Sequence, residues 1–161
     1  MKAIQTHYNG YKFRSRLEAR WAVFFDSLDL EYHYEPEGFI LNSGNWYLPD
    51  FYLPELNLYV EIKPKKSEEI FKDLADFSLS TKKEIILLTA NYFNSYIDHF
   101  GYFENELYQM ESFPFYIENN GSIRVWVSSS DTEHIMFSNH PKIKYAITCA
   151  KQARFEHGET L

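Results

Sequence analysis

Between residues 58 and 89 the hydrophobic pattern changes period twice, and that change restricts the fold more than any other feature. Leu58-Tyr59-Val60-Glu61-Ile62-Lys63 alternates, with Val60 and Ile62 on one face and Tyr59, Glu61 and Lys63 on the other, as a strand presents them. Pro64 ends the strand because it has no N–H for the ladder. Ser67, Glu68 and Glu69 then mark a helix start, and Ile70, Phe71, Leu74 and Phe77 continue at helical spacing to about Thr81. Glu84-Ile85-Ile86-Leu87-Leu88-Thr89 is a short apolar run of the kind found in buried strands.

Upstream, Ser15 and Glu18 form an S-x-x-E capping box ahead of an apolar stripe at Leu17, Trp21, Phe24, Phe25 and Leu28, a helix that should bury against a sheet. Phe39-Ile40-Leu41 and residues 46–53 read as two strands joined by a polar turn at residues 42–45. Helix, three strands, helix, strand makes the fold class α/β, with a central mixed sheet flanked by helices. Further on, Asn119-Asn120-Gly121 separates two apolar runs, residues 113–117 and 122–127, as a hairpin turn does. A last helix is expected to open near Asn139, with Pro141 in its first turn, and to run through Ile143, Ile147 and Ala150. The 161 residues suit a single domain, with a core of about residues 12–90 and a C-terminal extension over about 91–161.

Composition narrows the function. Hydrophobic residues at 45% and charged residues at 24% are those of a folded globular chain. No run of about 18 apolar residues is present, and charges throughout the first 20 residues replace the apolar run a signal peptide needs, so no membrane association and a cytoplasmic location are expected. Cys149 is the only cysteine, and the six histidines show no metal spacing, which argues against a zinc hydrolase. Neither a G-x-S-x-G elbow nor a G-x-x-x-x-G-K-[ST] loop is present. A net charge of −7 argues against coating nucleic acid by bulk attraction. The first 25 residues nonetheless carry Lys2, Lys12, Arg14, Arg16 and Arg20 against Glu18 alone, compatible with a local phosphate-binding face.

The chemistry-bearing constellation is Pro49-Asp50, ten intervening residues, then Glu61-Ile62-Lys63. On neighbouring strands, Asp50 and Glu61 offer oxygen ligands to a hard cation, and Lys63 shares the face of Glu61. A divalent ion, a water of lowered pKa and a nearby ammonium are the parts phosphodiester hydrolysis needs.

These residues resemble the PD-(D/E)XK nuclease superfamily, whose short signature is matched without substitution by Pro49-Asp50 and Glu61-Ile62-Lys63. The resemblance implies a restriction-endonuclease-like αβββαβ core, here followed by a C-terminal hairpin and helix. It also implies that Asp50, Glu61 and Glu18 are metal ligands, Glu18 coming from the first core helix, for one or two Mg2+ or Mn2+ ions. Lys63 would position water or stabilise charge. More narrowly, residues 11–21, Tyr34-Glu35-Pro36-Glu37, Tyr47-Leu48-Pro49-Asp50-Phe51 and residues 153–159 look like a group of small phage and prophage nuclease-like proteins. Residues 95–138 contribute nothing to that likeness.

The leading expectation is a metal-dependent nuclease, an endonuclease on DNA, with Arg14, Arg16, Arg20, Lys65 and Lys66 as candidate DNA contacts. The alternative is a DNA- or protein-binding module on a nuclease-like fold with lost or latent catalysis. A junction resolvase would add a homodimer, so that two sites cut two strands.

Overall fold

A computed structural model describes residues 3–91, 97–126 and 140–155, with backbone alone for 112–114 and 126. In chain order its elements are β1 (Thr6–Tyr8), β2 (Tyr11–Phe13), α1 (Arg16–Ser27), β3 (His33–Tyr34), β4 (Phe39–Ile40), β5 (Trp46–Tyr47), β6 (Phe51–Leu53), β7 (Leu58–Ile62), α2 (Glu68–Thr81), β8 (Ile85–Leu88), β9 (Ile97–Phe103), β10 (Glu106–Ile117), β11 (Ile123–Trp126) and α3 (Pro141–Gln152). A 3-10 turn, Pro54–Leu56, links β6 to β7.

Seven strands form one mixed sheet in the order β11-β10-β9-β8-β7-β6-β3. Only β7 and β8, joined by α2, run parallel, because a parallel pair needs a crossover long enough to hold a helix. The two sheet faces bury separate clusters. Val60, Ile62, Ile86 and Leu88 join the apolar sides of α1 and α3, whereas Tyr59, Ile85, Leu87 and Phe100 join Leu74 and Phe77 of α2. The sheet therefore lies between helical layers. Phe25 of α1 packs edge-on against Phe51 at 5.4 Å, and both are fully buried. Burial of each such ring is worth about 1.5–3 kcal/mol.

The helices follow their local signals. Ser15 Oγ accepts the N–H of Glu18 at 3.1 Å, and Ser67 Oγ accepts that of Ile70 at 3.2 Å, so each N-terminus has a side-chain cap. Trp21, Phe24, Phe25 and Leu28 are buried, as their spacing predicts. Ile143, Ile147 and Ala150 of α3 are buried too. Asn139, the expected start of α3, and Val127 and residues 156–159 lie outside the described residues.

Three sequence expectations need correction. Residues 46–53 do not form one strand: Leu48-Pro49-Asp50 interrupts it, with Pro49 lacking a ladder donor, so β5 ends before β6 begins. β4 and β5 then pair only with each other, off the main sheet, and the third antiparallel strand beside β6 is the short β3. Lys63 lies one residue beyond β7, although its N–H still donates to Leu88 O at 3.1 Å. The turn at residues 119–121 does join two antiparallel strands, but β10 begins at Glu106 and first pairs with β9, a hairpin the sequence reading missed. No helix among the described residues is long and apolar enough to cross a membrane.

Candidate active site

The three carboxylates named from sequence come from α1, from the residue preceding β6 and from β7, and the charges of Glu18 and Glu61 both reach Asp50. Glu18 is in the first turn of α1 and 7% exposed, Glu61 is on β7 and 5% exposed, and Asp50 precedes β6. Asp50 Oδ2 accepts the Ile62 N–H at 2.7 Å, extending the antiparallel bond between β6 and β7 through a side chain. Its backbone carbonyl accepts the Glu35 N–H at 2.8 Å, so Asp50 is held from both neighbouring strands.

Each glutamate has a tyrosine donor. Tyr34 Oη donates to Glu18 Oε2 at 2.6 Å, and the same oxygen accepts the Arg14 N–H at 3.1 Å. The capping box is thus half local: Ser15 caps the helix, while the Glu18 carboxylate turns to Arg14 and Tyr34 and not to the N–H of Ser15. Tyr47 Oη donates to Glu61 Oε2. Both phenols titrate above their ordinary range, first through burial and then through the carboxylate each serves. They stay protonated donors at any ordinary pH.

Electrostatics tie the carboxylates together. Burial lifts Asp50 well above the usual carboxylate range; its hydrogen bond to Glu61 and the charges of Glu61 and Glu18 lift it further, against the Ile62 N–H. Glu18 is also raised, by burial first, with Glu35 and Glu61 adding to it while Tyr34 and Arg14 oppose it. Among the described residues no lysine, arginine or histidine makes an ion pair with any of the three. A buried carboxylate cluster without a counter-charge retains a proton or takes a cation.

Lys63 is exposed at the end of β7, and its charge reaches Asp73 of α2, which also senses Glu61. The other basic candidates disperse. Arg14 Nε pairs with Glu35 Oε1 at 2.6 Å, and Glu35 holds a left-handed backbone, φ 46°, beside Asp50. Arg20 donates to Ala150 O at 3.3 Å and Lys151 O at 3.0 Å, serving the C-terminus of α3. Lys66 Nζ sits 2.6 Å from the buried Asp98, which stands opposite Leu87 as Leu87 stands opposite Glu61. Arg16 is half-buried, and Lys65 is exposed beside Lys63.

Sequence reasoning missed Tyr34 and Tyr47, whose partners lie 16 and 14 residues away. Among the described residues, no group of three His, Cys, Asp or Glu side chains converges closely enough to hold a metal ion as they stand. The donor chemistry fits a hard cation all the same: three carboxylates, with Asp50 raised by burial and by Glu61 and Glu18 beside it. No family model matches the chain, and no curated protein matches it.

Proposed function

We propose that this chain is a metal-dependent nuclease that hydrolyses phosphodiester bonds in DNA, on a restriction-endonuclease-like core. The observation that carries the reading is the cluster of buried Glu18 and Glu61 with half-buried Asp50, uncompensated by any described cationic side chain. The order α1-β3-β6-β7-α2-β8 supports it, since this is the αβββαβ order of the superfamily the signature resembles, with β4 and β5 as an insertion.

Asp50 and Glu61 would hold the ion, with Glu18 as the third carboxylate. When bound, Mg2+ or Mn2+ supplies charge neutralisation of the phosphate and a lowered water pKa. The chain's own residues do the rest. Tyr47 and Tyr34 fix the orientation of Glu61 and Glu18, as outer-shell donors do for metal-binding carboxylates. Lys63, exposed at the end of the strand carrying Glu61, meets a phosphate from solvent and stabilises negative charge developing on it. Lys65 adds a second exposed cation to the same approach.

Incubation with plasmid, linear, single-stranded and branched DNA in Mg2+, Mn2+ or EDTA tests the reading. Cleavage that requires the ion and is lost in Lys63→Ala is the expected result; no cleavage of any substrate, or full activity in Lys63→Ala, overturns it. A binding module with latent catalysis is the second reading, favoured by the lack of three converging ligands among the described side chains. Calorimetric titration with Mg2+ separates the two, because a module gives no binding that disappears in Asp50→Ala.

A further inference from the structure

The two faces of the β4–β5 hairpin differ sharply. Phe39 pairs with Tyr47 across it, and both rings turn inward against Phe77 of α2, at 5.2 and 5.4 Å. Ile40 pairs with Trp46 on the opposite face, and these two are 74% and 66% exposed. Single exposed apolar residues are ordinary, but a cross-strand aliphatic-aromatic pair left to water on an anchored hairpin is not.

The hairpin is held in place. Its Asn42 N–H donates to Ser80 Oγ at 2.8 Å, and Ser43 Oγ donates to Asp76 Oδ2 at 2.9 Å, both on α2. The Trp46 indole lies directly on the backbone of Gly38: a Cβ there would come within 1.9 Å of Trp46 Cζ2. Glycine at position 38 is therefore what seats the ring, leaving much of the indole open to solvent. The next residue, Tyr47, points to the opposite face and donates to Glu61, so the strand that carries the platform also reaches the carboxylate from its other side. The turn residues Asn42, Ser43, Gly44 and Asn45 carry no charge to repel a phosphate backbone.

We propose that Trp46, with Ile40 beside it, is a stacking platform for an unpaired DNA base, and that the strand delivered to the carboxylate cluster is single-stranded there. The proposal rests on the nuclease reading and names its substrate class. An indole stacks on any base whose face is free, which a continuous duplex does not offer away from its ends.

The test uses the full chain carrying Lys63→Ala in Mg2+, with a fluorescent 20-nucleotide oligothymidine and a blunt duplex of equal length. Trp46→Ala should weaken oligothymidine binding about tenfold, the scale of one lost base stack, and abolish the quenching of tryptophan fluorescence by that oligonucleotide. Trp46→Phe should restore most of the binding, and Gly38→Ala, which displaces the indole and leaves Trp46 in place, should mimic Trp46→Ala. Blunt-duplex binding should stay the same in all three. Equal oligothymidine binding with and without Trp46, or equal losses on both probes, overturns the proposal. So does sedimentation showing that Trp46 and Ile40 cover a second copy of the chain while DNA binding is indifferent to Trp46→Ala. The nuclease reading stands or falls separately on cleavage by the unsubstituted chain, so the two failures are distinguishable.

Discussion

Asp50 accepts the backbone N–H of Ile62 at 2.7 Å, which ties the carboxylate preceding β6 to the strand that carries Glu61. Asp50→Asn keeps an acceptor for that N–H and removes a half-buried charge that Glu61 and Glu18 both oppose. The folded chain should therefore survive and, in EDTA at about pH 8, melt higher than the unsubstituted protein, by about 2–4 °C for each kcal/mol relieved. Metal-dependent cleavage should fall on the order of a hundredfold or more, since a ligand is lost. Thermal melts paired with a cleavage assay decide it: a variant that melts lower, or still cleaves, contradicts the assignment.

The raised acidities set a pH dependence with a definite sign. Asp50 and Glu18 hold protons in the folded chain at pH values where the unfolded chain has released them, so the native state binds more protons there. Their contribution is fully present below the ordinary carboxylate pKa and is lost as pH rises through the raised folded values. Glu84 acts in the opposite sense: His99 first and then Tyr108 hold it below the usual range, and its contribution is lost only as pH falls through that lowered value. In EDTA the urea midpoint should thus be higher at about pH 5 than at about pH 8. Added Mg2+ should raise it more at the higher pH, because the ion competes with protons for the same oxygens. A midpoint in EDTA that rises with pH, or a Mg2+ effect larger in acid, is inconsistent with the cluster.

Tyr34 and Tyr47 should act through the glutamates they serve. Tyr34→Phe removes the donor to a carboxylate that is 7% exposed, leaving Glu18 with the Arg14 N–H alone, and should destabilise the chain by about 1–2 kcal/mol. Mg2+ affinity should drop on the order of tenfold in Tyr34→Phe, and in Tyr47→Phe as well. Calorimetry on both variants checks this, and affinities equal to that of the unsubstituted chain would remove the tyrosines from the site.

The parts of this fold legible in the sequence are those whose causes are local. The Ser15 cap, the stripe from Trp21 to Leu28 and the alternation around Val60 and Ile62 each express a periodicity within a few residues. Pairing is not local: Phe39-Ile40 and Trp46-Tyr47 read correctly as strand-forming, but nothing in them says that they pair only with each other, off the main sheet. β1 and β2 had a signal that went unused, the Asn9-Gly10 step, where φ values of 50° and 81° make the tight turn. β9 was hidden because Asp98 and His99 look like loop residues, yet both are buried with Lys66 and Glu84 as charged neighbours. In the site, the signature marked the carboxylates, whereas the tyrosines that orient them meet them only through tertiary contact.

Gly101 and Tyr108 stand opposite each other on β9 and β10, and the Tyr108 ring folds across the glycine. A Cβ at position 101 would come within 2.2 Å of the Tyr108 Cζ and Oη atoms. The ring tip is not free to swing aside, because its hydroxyl donates to Glu84, which lies 3.4 Å from the buried His99 Nε2. Gly101→Ala must therefore either break that bond or push the strands apart, and should destabilise the chain by about 1–3 kcal/mol. In a Tyr108→Ala background the added methyl no longer meets the ring, so Gly101→Ala should become nearly neutral. A coupling energy above about 1 kcal/mol is then expected from the double-mutant cycle. Urea denaturation of the four proteins at one pH measures it, and strictly additive effects would mean that the ring does not rest on the glycine in solution.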